Sequence, residues 1–404
     1  MKKVLRLGVL SDLHCHEKRE KDDDSYLVCG LPTSPHKENP YSSLLKLIER
    51  KTLRCDFLLL PGDFADKVDK KGFLEGWRIT SEIARRLGAQ ERIATIGNHD
   101  VSSRDGGNVF DVAKNIDDDF PVRDKNKQDE FWNRGFCLLE YPAQGFRILV
   151  INSAHHHYTE ARARSGEILN KQLEAIEECL ENLKNSDYFP FQVAMTHHHP
   201  FPHERYNLGS ADTIINGTLL VTLLNKYNFK LIIHGHKHDV LLRYSDAGPN
   251  STAIFSAGSF SCKPKNLLQG SNNTFHIVEL SDDTVQNCRG QGIIETYHYT
   301  WGLGWTESSN QYFPHKTGFG CYLPVENLAK NVYEWITTTW VQSNTHAVKG
   351  RIIVEWDEVL AEFPEIAFLT PSTFEKFGEF SQKQYKMVFS YQLPQTPEVV
   401  KITL

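Results

Sequence analysis

Five short polar clusters, each placed just after an apolar run and all in one chain order, constrain this chain more than any other feature of it. Asp12-Leu13-His14 follows residues 4–10, Gly62-Asp63 follows 57–60, and Gly97-Asn98-His99-Asp100 follows 93–96. Further on, His197-His198-His199-Pro200 follows 193–196, and Gly235-His236-Lys237-His238 follows 231–233. A short apolar run closed by a turn signal reads as a buried strand. Open α/β sheets build their sites where loops leave the carboxyl ends of such strands. The pattern therefore predicts an α/β fold in which five strand ends deliver Asp, Asn and His to one place. Taken singly, Gly-Asp is a turn and a histidine run is a solvated loop. The ordered set, each member in the same structural context, is what carries the reading.

Those side chains suit metal. Carboxylate oxygens are hard donors and imidazole nitrogens are borderline ones, so a pocket that mixes them favours cations such as manganese, iron or zinc over calcium or magnesium alone. No cysteine belongs to the set. A pair of cations about 3.5–4 Å apart needs a shared carboxylate, and Asp63 is the natural bridge.

In these five motifs the chain resembles the calcineurin-like metallophosphoesterases, whose pattern runs Asp-x-His, Gly-Asp, Gly-Asn-His-Asp or Glu, a His near a Pro, then Gly-His-x-His. The resemblance implies a four-layer αββα sandwich core and two divalent metal ions, manganese first, with iron or zinc as alternatives. It implies that Asp12, His14, Asp63 and His238 hold one metal, while Asp63, Asn98, a histidine of the 197–199 triplet and His236 hold the other. The family's fourth ligand commonly stands two residues before the proline, which selects His198 over His197 and His199. His99 would be the catalytic histidine off the metals, with Asp100 or another carboxylate orienting its ring, and Asp66 would cap a loop or support the ligands. The activity implied is phosphoester hydrolysis, by attack on phosphorus in line with a hydroxide bridging the two metals. The His-His-Pro form of the fourth cluster resembles the cyclic-nucleotide branch and favours a phosphodiesterase. A phosphomonoesterase or protein phosphatase, and a nuclease, would use the same ligands. A binding scaffold on the same fold has no reason to keep every ligand and His99.

Composition agrees with an enzyme of ordinary globular type. The 404 residues are 40% hydrophobic and 24% charged, enough chain for a large core and two domains. A formal net charge of -6 argues against a broad nucleic-acid surface, so nucleic acid enters only as a substrate. The pairs Arg162/Arg164 and Lys263/Lys265 read as solvated charges. No membrane partner is expected, because no stretch approaches ~18 apolar residues, and residues 4–10, broken by Arg6, read as a strand rather than a leader. Eight cysteines without C-x-x-C spacing suggest reduced thiols and a cytoplasmic protein.

The core is expected over residues 1–300, with an accessory domain over 301–404. Residues 72–87 and 168–183 carry helical apolar periodicity and should pack outside the sheets. Two polar segments, 15–40 and 101–128, leave directly from ligand clusters, as substrate-selecting loops do. A second histidine run, His155 to His157, reads as a loop lining the cleft. Beyond 300, a Gly- and aromatic-rich stretch, helix-like 325–340 and strand-like 350–356 and 385–391 predict a small mixed domain with no ligand cluster. Its aromatics read as packing, and a protein partner or oligomer contact would use this region.

Overall fold

The computed structural model describes residues 3–17, 24–30, 36–102, 109–159, 163, 165–183, 189–202, 212–246, 251–267, 270–283, 285–310, 312–343, 351–393 and 396–403. Arg162 and Arg164, Gly106-Gly107 and much of the first polar segment, including 18–23 and 31–35, lie outside them.

The apolar runs form strands where the pattern places them. Val4–Val9 (β1), Phe57–Leu60 (β2) and Glu91–Ala94 (β3) pair in parallel. Phe136–Tyr141 (β4) and Phe146–Ile151 (β5) form an antiparallel pair, and Phe191–Met195 (β6) and Leu231–His234 (β7) continue from β5 in parallel. Val240–Tyr244 (β8) and Ala253–Ala257 (β9) complete a six-stranded sheet in the order β4-β5-β6-β7-β9-β8. Asn273–Ser281 (β10), Cys288–Thr300 (β11), Gly304–Glu307 (β12) and Lys316–Cys321 (β13) extend the first sheet to seven strands, in the order β12-β11-β10-β1-β2-β3 with β13 also on β11.

Helices Pro40–Lys51 (α1) and Lys70–Leu87 (α2) cover the first sheet. Each starts on a side chain that accepts a backbone N–H, Asn39 from Ser42 and Asp69 from Gly72. The short Asp111–Lys114 (α3) and Lys125–Arg134 (α4) follow, and Asn170–Asn182 (α5) and Gly217–Lys226 (α6) cover the second sheet. Strand alternation separates the layers. In β5, Ile148 and Val150 join the core between the sheets, whereas Leu149 and Ile151 pack with Ile176, Leu220 and Leu224 beneath α5 and α6. Phe57 of the first sheet meets Tyr141 and Phe146 of the second at 4.4 and 5.0 Å between ring centres. The result is helix, sheet, sheet, helix.

The expected division at 300/301 falls between β11 and β12, which remain hydrogen-bonded in one sheet. The core strands therefore run on to Cys321, because β11 is long enough to pair with β12 along one part and β13 along another. In the Gly- and aromatic-rich stretch Trp305, Phe313 and Phe319 are buried, whereas Trp301 and Tyr312 are exposed; Trp305 stacks on Phe260 and donates its indole N–H to the Pro40 carbonyl. Beyond it come Val325–Glu334 (α7), a π-helical turn Trp335–Trp340, Val341–Ser343 (α8), Trp356–Glu362 (α9) and Pro371–Tyr385 (α10). Arg351–Glu355 (β14), Met387–Leu393 (β15) and Thr396–Thr403 (β16) form a separate sheet in the order β14-β16-β15. This unit has its own apolar cluster, with Leu328, Val332, Trp356, Phe377 and Val400 buried in it. No helix among the described residues is long and apolar enough to cross a membrane.

Candidate metal centre

The loops after β1, β2 and β3 meet those after β6 and β7, and the backbone itself ties them together. Asp12 N–H bonds the Gly62 carbonyl at 3.1 Å, His14 N–H the Asp63 carbonyl at 3.0 Å, and Gly235 N–H the His197 carbonyl at 3.0 Å. A link across the two sheets comes from His236 N–H, 3.1 Å from Asp12 Oδ1. Two glycines are required by close approach. A Cβ on Gly97 would stand 2.0 Å from Asp63 Oδ1, and one on Gly235 would stand 2.3 Å from Asp12 Oδ2.

Five of the expected ligands sit on left-handed backbone: Asp12 (φ 54°), His14 (46°), Asp63 (54°), His236 (79°) and His238 (53°). Asp and His tolerate this region better than most residues. Each such position still costs on the order of 1–3 kcal/mol, and such strain gathers where geometry serves a site. Here it accompanies a sharp bend at the strand end, after which Asp12 and His14 meet in one donor set while His236 and His238 enter neighbouring ones.

The side chains converge in two overlapping sets. In the first, His14 Nε2 lies 3.0 Å from His238 Nε2, 3.8 Å from Asp12 Oδ1 and 3.7 Å from Asp63 Oδ2. His238 Nε2 is 3.4 Å from Asp12 Oδ1, and its Nδ1 faces the Asn266 carbonyl at 2.8 Å. That carbonyl holds the proton on Nδ1 and leaves the Nε2 lone pair aimed inward. In the second set, His197 Nδ1 donates to the Pro61 carbonyl at 2.8 Å, and its Nε2 stands 3.3 Å from Asp63 Oδ2 and 3.2 Å from Asn98 Oδ1. His236 Nδ1 joins it, 2.9 Å from Asn98 Oδ1.

The histidine that reaches Asp63 and Asn98 is thus His197, whereas the sequence expectation was His198. His198 places Nδ1 on the Ser153 hydroxyl at 2.8 Å, and its buried Nε2 has no hydrogen-bond partner. One donor atom from each of His197, His198 and His236 lies within 4.8 Å of the others. Alternation explains the exchange of roles. Val193 and Met195 face the other sheet, while Ala194 faces the helices, so His197 continues toward Asp63 and His198 does not.

Asp100, expected to work beside His99, is placed elsewhere. Buried, it accepts Ala65 N–H at 2.9 Å and Gly97 N–H at 3.0 Å, and so pins the Asp63 and Asn98 loops to each other. The carboxylate that reaches His99 is Asp66, with Oδ1 3.3 Å from Nδ1. His99 N–H also bonds Asp63 Oδ1 at 2.8 Å, and the His99 ring meets His14 edge-on, 4.6 Å between centres. With its side chain 32% exposed, His99 is open to solvent while Asp12 and Asp63 are buried.

Electrostatics follow from this crowding. Burial alone would raise the Asp63 carboxyl, yet the imidazoles of His197, His99 and His14 hold it below the usual carboxylate range. Burial would lower His197, but the Asp63 charge and hydrogen bond push it up to about 9. His198 and His236 fall well below the usual imidazole value through burial and the neighbouring histidines. Burial and the Asp63 charge raise Asp100 to about 7.

One donor was absent from the expected set. Cys262, on the loop after β9, sits 3.9 Å by its Sγ from His238 Nε2, and His14, His238 and Cys262 form a donor group within 4.8 Å. Burial would raise this thiol, but His238 and His14 bring it down to about 6. The second histidine run serves structure: His156 bonds the Gln172 side chain, His157 the Ser165 carbonyl, and His155 stacks on Phe110. The described part of the first polar segment lies against the site loops, Ser25 Oγ donating to the Leu13 carbonyl at 2.9 Å and Tyr26 N–H to that of Ser261 at 2.8 Å.

The donor set fits a pair of cations. Two buried carboxylates face inward-pointing imidazole nitrogens, two of which lie only 3.0 Å apart, and the buried Nε2 atoms of His198 and His236 lack partners. Positive charge between these groups would offset their repulsion and satisfy the unpartnered nitrogens.

The chain belongs to the calcineurin-like phosphoesterase family, whose pattern matches residues 5–240. Together with its donor groups this defines a metal-dependent phosphoesterase in general terms. No curated protein sequence matches the chain. Among solved structures, similarity extends to GAP50, the anchor in the inner membrane complex of Plasmodium, at 12% identity over 76% of this chain and 89% of that one, TM-score 0.36. It extends also to TT1561 of Thermus thermophilus, at 12% identity over 68% and 93%, TM-score 0.36. Wild-type Vps29 of Entamoeba histolytica complexed with zinc matches at 12% identity over 75% and 97%, TM-score 0.33.

Proposed function

We propose that the chain is a cytoplasmic phosphodiesterase with two divalent cations, one held by Asp12, His14, Asp63 and His238 and the other by Asp63, Asn98, His197 and His236. The observation that carries this reading is the Asp63 carboxylate, whose Oδ2 is 3.7 Å from His14 and 3.3 Å from His197, between the two donor sets. A cation pair of this kind supplies a nucleophilic water at neutral pH and positive charge against the phosphoryl oxygens.

The protein's own part is positioning and proton transfer. The Asn266 and Pro61 carbonyls fix His238 and His197 with Nε2 inward, and Asp100 holds the Asp63 and Asn98 loops in register. His99, beside Asp63 and open to solvent, donates a proton to the leaving alkoxide, and Asp66 on its Nδ1 orients the ring and steadies the imidazolium. The segment around Ser25 and Tyr26, packed on the Asp12-Leu13-His14 loop, borders the substrate and takes part in its selection. Eight free cysteines support the cytoplasmic reading.

The preference for a diester rests on the likeness of His198-His199-Pro200 to the cyclic-nucleotide branch. A hydrolysis screen of the metal-loaded protein tests it, with bis-p-nitrophenyl phosphate, p-nitrophenyl phosphate, cyclic nucleotides and single-stranded DNA. Diesters are expected to exceed the monoester in kcat/KM. A dominant monoester rate makes the chain a phosphatase, and loaded protein inert on all four overturns the hydrolase reading.

A further inference from the structure

Resting on the cation centre proposed above, the geometry points to Cys262 as a further, sulfur ligand of the cation held by His14 and His238. The loop after β9 delivers this thiol as the loops after the other strands deliver their ligands, from the carboxyl end of a strand parallel to β7. Its Sγ lies 3.9 Å from His238 Nε2, and His238 Nε2 lies 3.0 Å from His14 Nε2. Zinc–sulfur bonds of about 2.3 Å and zinc–nitrogen bonds of about 2.0–2.1 Å at tetrahedral angles separate S from N by about 3.5 Å and N from N by about 3.3 Å. The two measured separations differ from these values by a few tenths of an ångström, and all three donor atoms lie within 4.8 Å of one another.

The thiol is also held there. Cys262 N–H bonds the Ser259 hydroxyl at 3.0 Å, its carbonyl accepts from the Asn273 amide at 2.8 Å, and the Ser259 hydroxyl donates to the Asp12 carbonyl at 2.8 Å. Its loop is thus tied to the same residue whose carboxylate faces His14 and His238. Cys15, although next to His14 in sequence, falls in none of the donor groups found among the described residues. Ligation sends the thiol proton to solvent and leaves a thiolate on the ion. A soft anionic donor shifts the preference of this position from manganese toward zinc or iron.

Zinc K-edge X-ray absorption on protein loaded with zinc, with bound zinc counted by elemental analysis, tests the assignment. Wild-type protein is expected to show a sulfur shell near ~2.3 Å beside the nitrogen and oxygen shell. Cys262→Ser and Cys262→Ala, each checked for native circular dichroism, are expected to lose that shell while keeping bound zinc. Their preference for zinc over manganese in competition is expected to fall roughly tenfold or more, by analogy with losses at partners of metal ligands. Bound zinc with only nitrogen and oxygen neighbours in wild-type protein overturns the ligation of Cys262 and leaves the cation centre standing. A sulfur shell that survives in either folded variant assigns the sulfur to another cysteine and overturns it too. Protein that binds no zinc, manganese or iron removes the centre itself, and the inference with it.

Discussion

Asp66 Oδ1 lies 3.3 Å from Nδ1 of His99, whose backbone N–H bonds Asp63 Oδ1 at 2.8 Å. A histidine so placed is oriented by one carboxylate and located by another, without having to hold a cation. His99→Ala is therefore expected to keep both metals and to lower kcat by the 10²–10⁴-fold range of a lost proton donor, about 3–5 kcal/mol. The deficit should be larger on a diester with an alkoxide leaving group than on bis-p-nitrophenyl phosphate, whose leaving group needs no proton. Asp66→Asn should show the same leaving-group dependence in weaker form. Equal deficits on both substrates, or a lost metal in His99→Ala, exclude the proton-donor role.

The triplet offers a direct contrast between neighbours. His197→Ala is expected to lower metal content and activity more than His198→Ala, because only His197 is seen to touch Asp63 and Asn98. Elemental analysis of the two variants after gel filtration checks this. A greater loss in His198→Ala would move the ligand by one residue.

Asp63 stands between the two donor sets, so its removal should be felt by both. Asp63→Ala is expected to lose affinity for both cations, His14→Ala chiefly for the one beside His238, and Asn98→Ala chiefly for the one beside His197 and His236. Metal titration followed by calorimetry reads two sites in wild-type protein. Asp63→Ala retaining two sites of unchanged affinity contradicts the bridge.

A fourth expectation concerns a residue with no chemistry of its own. The Cβ of Gly97→Ala would meet Asp63 Oδ1 at 2.0 Å and the Asp63 backbone nitrogen at 2.7 Å, closer than real contacts allow, so the carboxylate and the backbone that carries it must both move. The variant is expected to fold with about 1–3 kcal/mol lost to overpacking, as read from urea unfolding. Its metal affinity should nevertheless fall at least as far as that of His14→Ala. Wild-type affinity in Gly97→Ala would show that Asp63 is not held where the structure places it.

The strand-end clusters made the sandwich and the meeting of the five loops legible in the sequence, since ligand-bearing turns after buried strands leave few ways to converge. Which histidine of three points inward was not legible. Strand β6 is apolar on both faces, with Val193, Ala194 and Met195 all buried, so its alternation carries no hydrophobic signal. Asp100 misled for a related reason: adjacency to His99 in sequence says nothing once a tight turn sends the two side chains apart. Cys262 escaped notice because it belongs to no spaced motif, although the Ser259-Phe260-Ser261-Cys262 run follows a buried strand as the ligand clusters do. Strands β12 and β13 are short and glycine-containing, and only their pairing with β11 reveals them.

The division of the centre between two sheets bears on how the protein is made. Asp12, His14, Asp63 and Asn98 leave the ribosome on the first three strands, while their counterparts arrive much later, His238 being 224 positions beyond His14. Contacts so distant in sequence form late and slowly. Until they form, the emerging chain displays two acids and part of a donor set but no closed cage, and no cation can be captured with the affinity of the finished protein. For the cation centre proposed above, metal uptake would therefore wait on the docking of the two sheets.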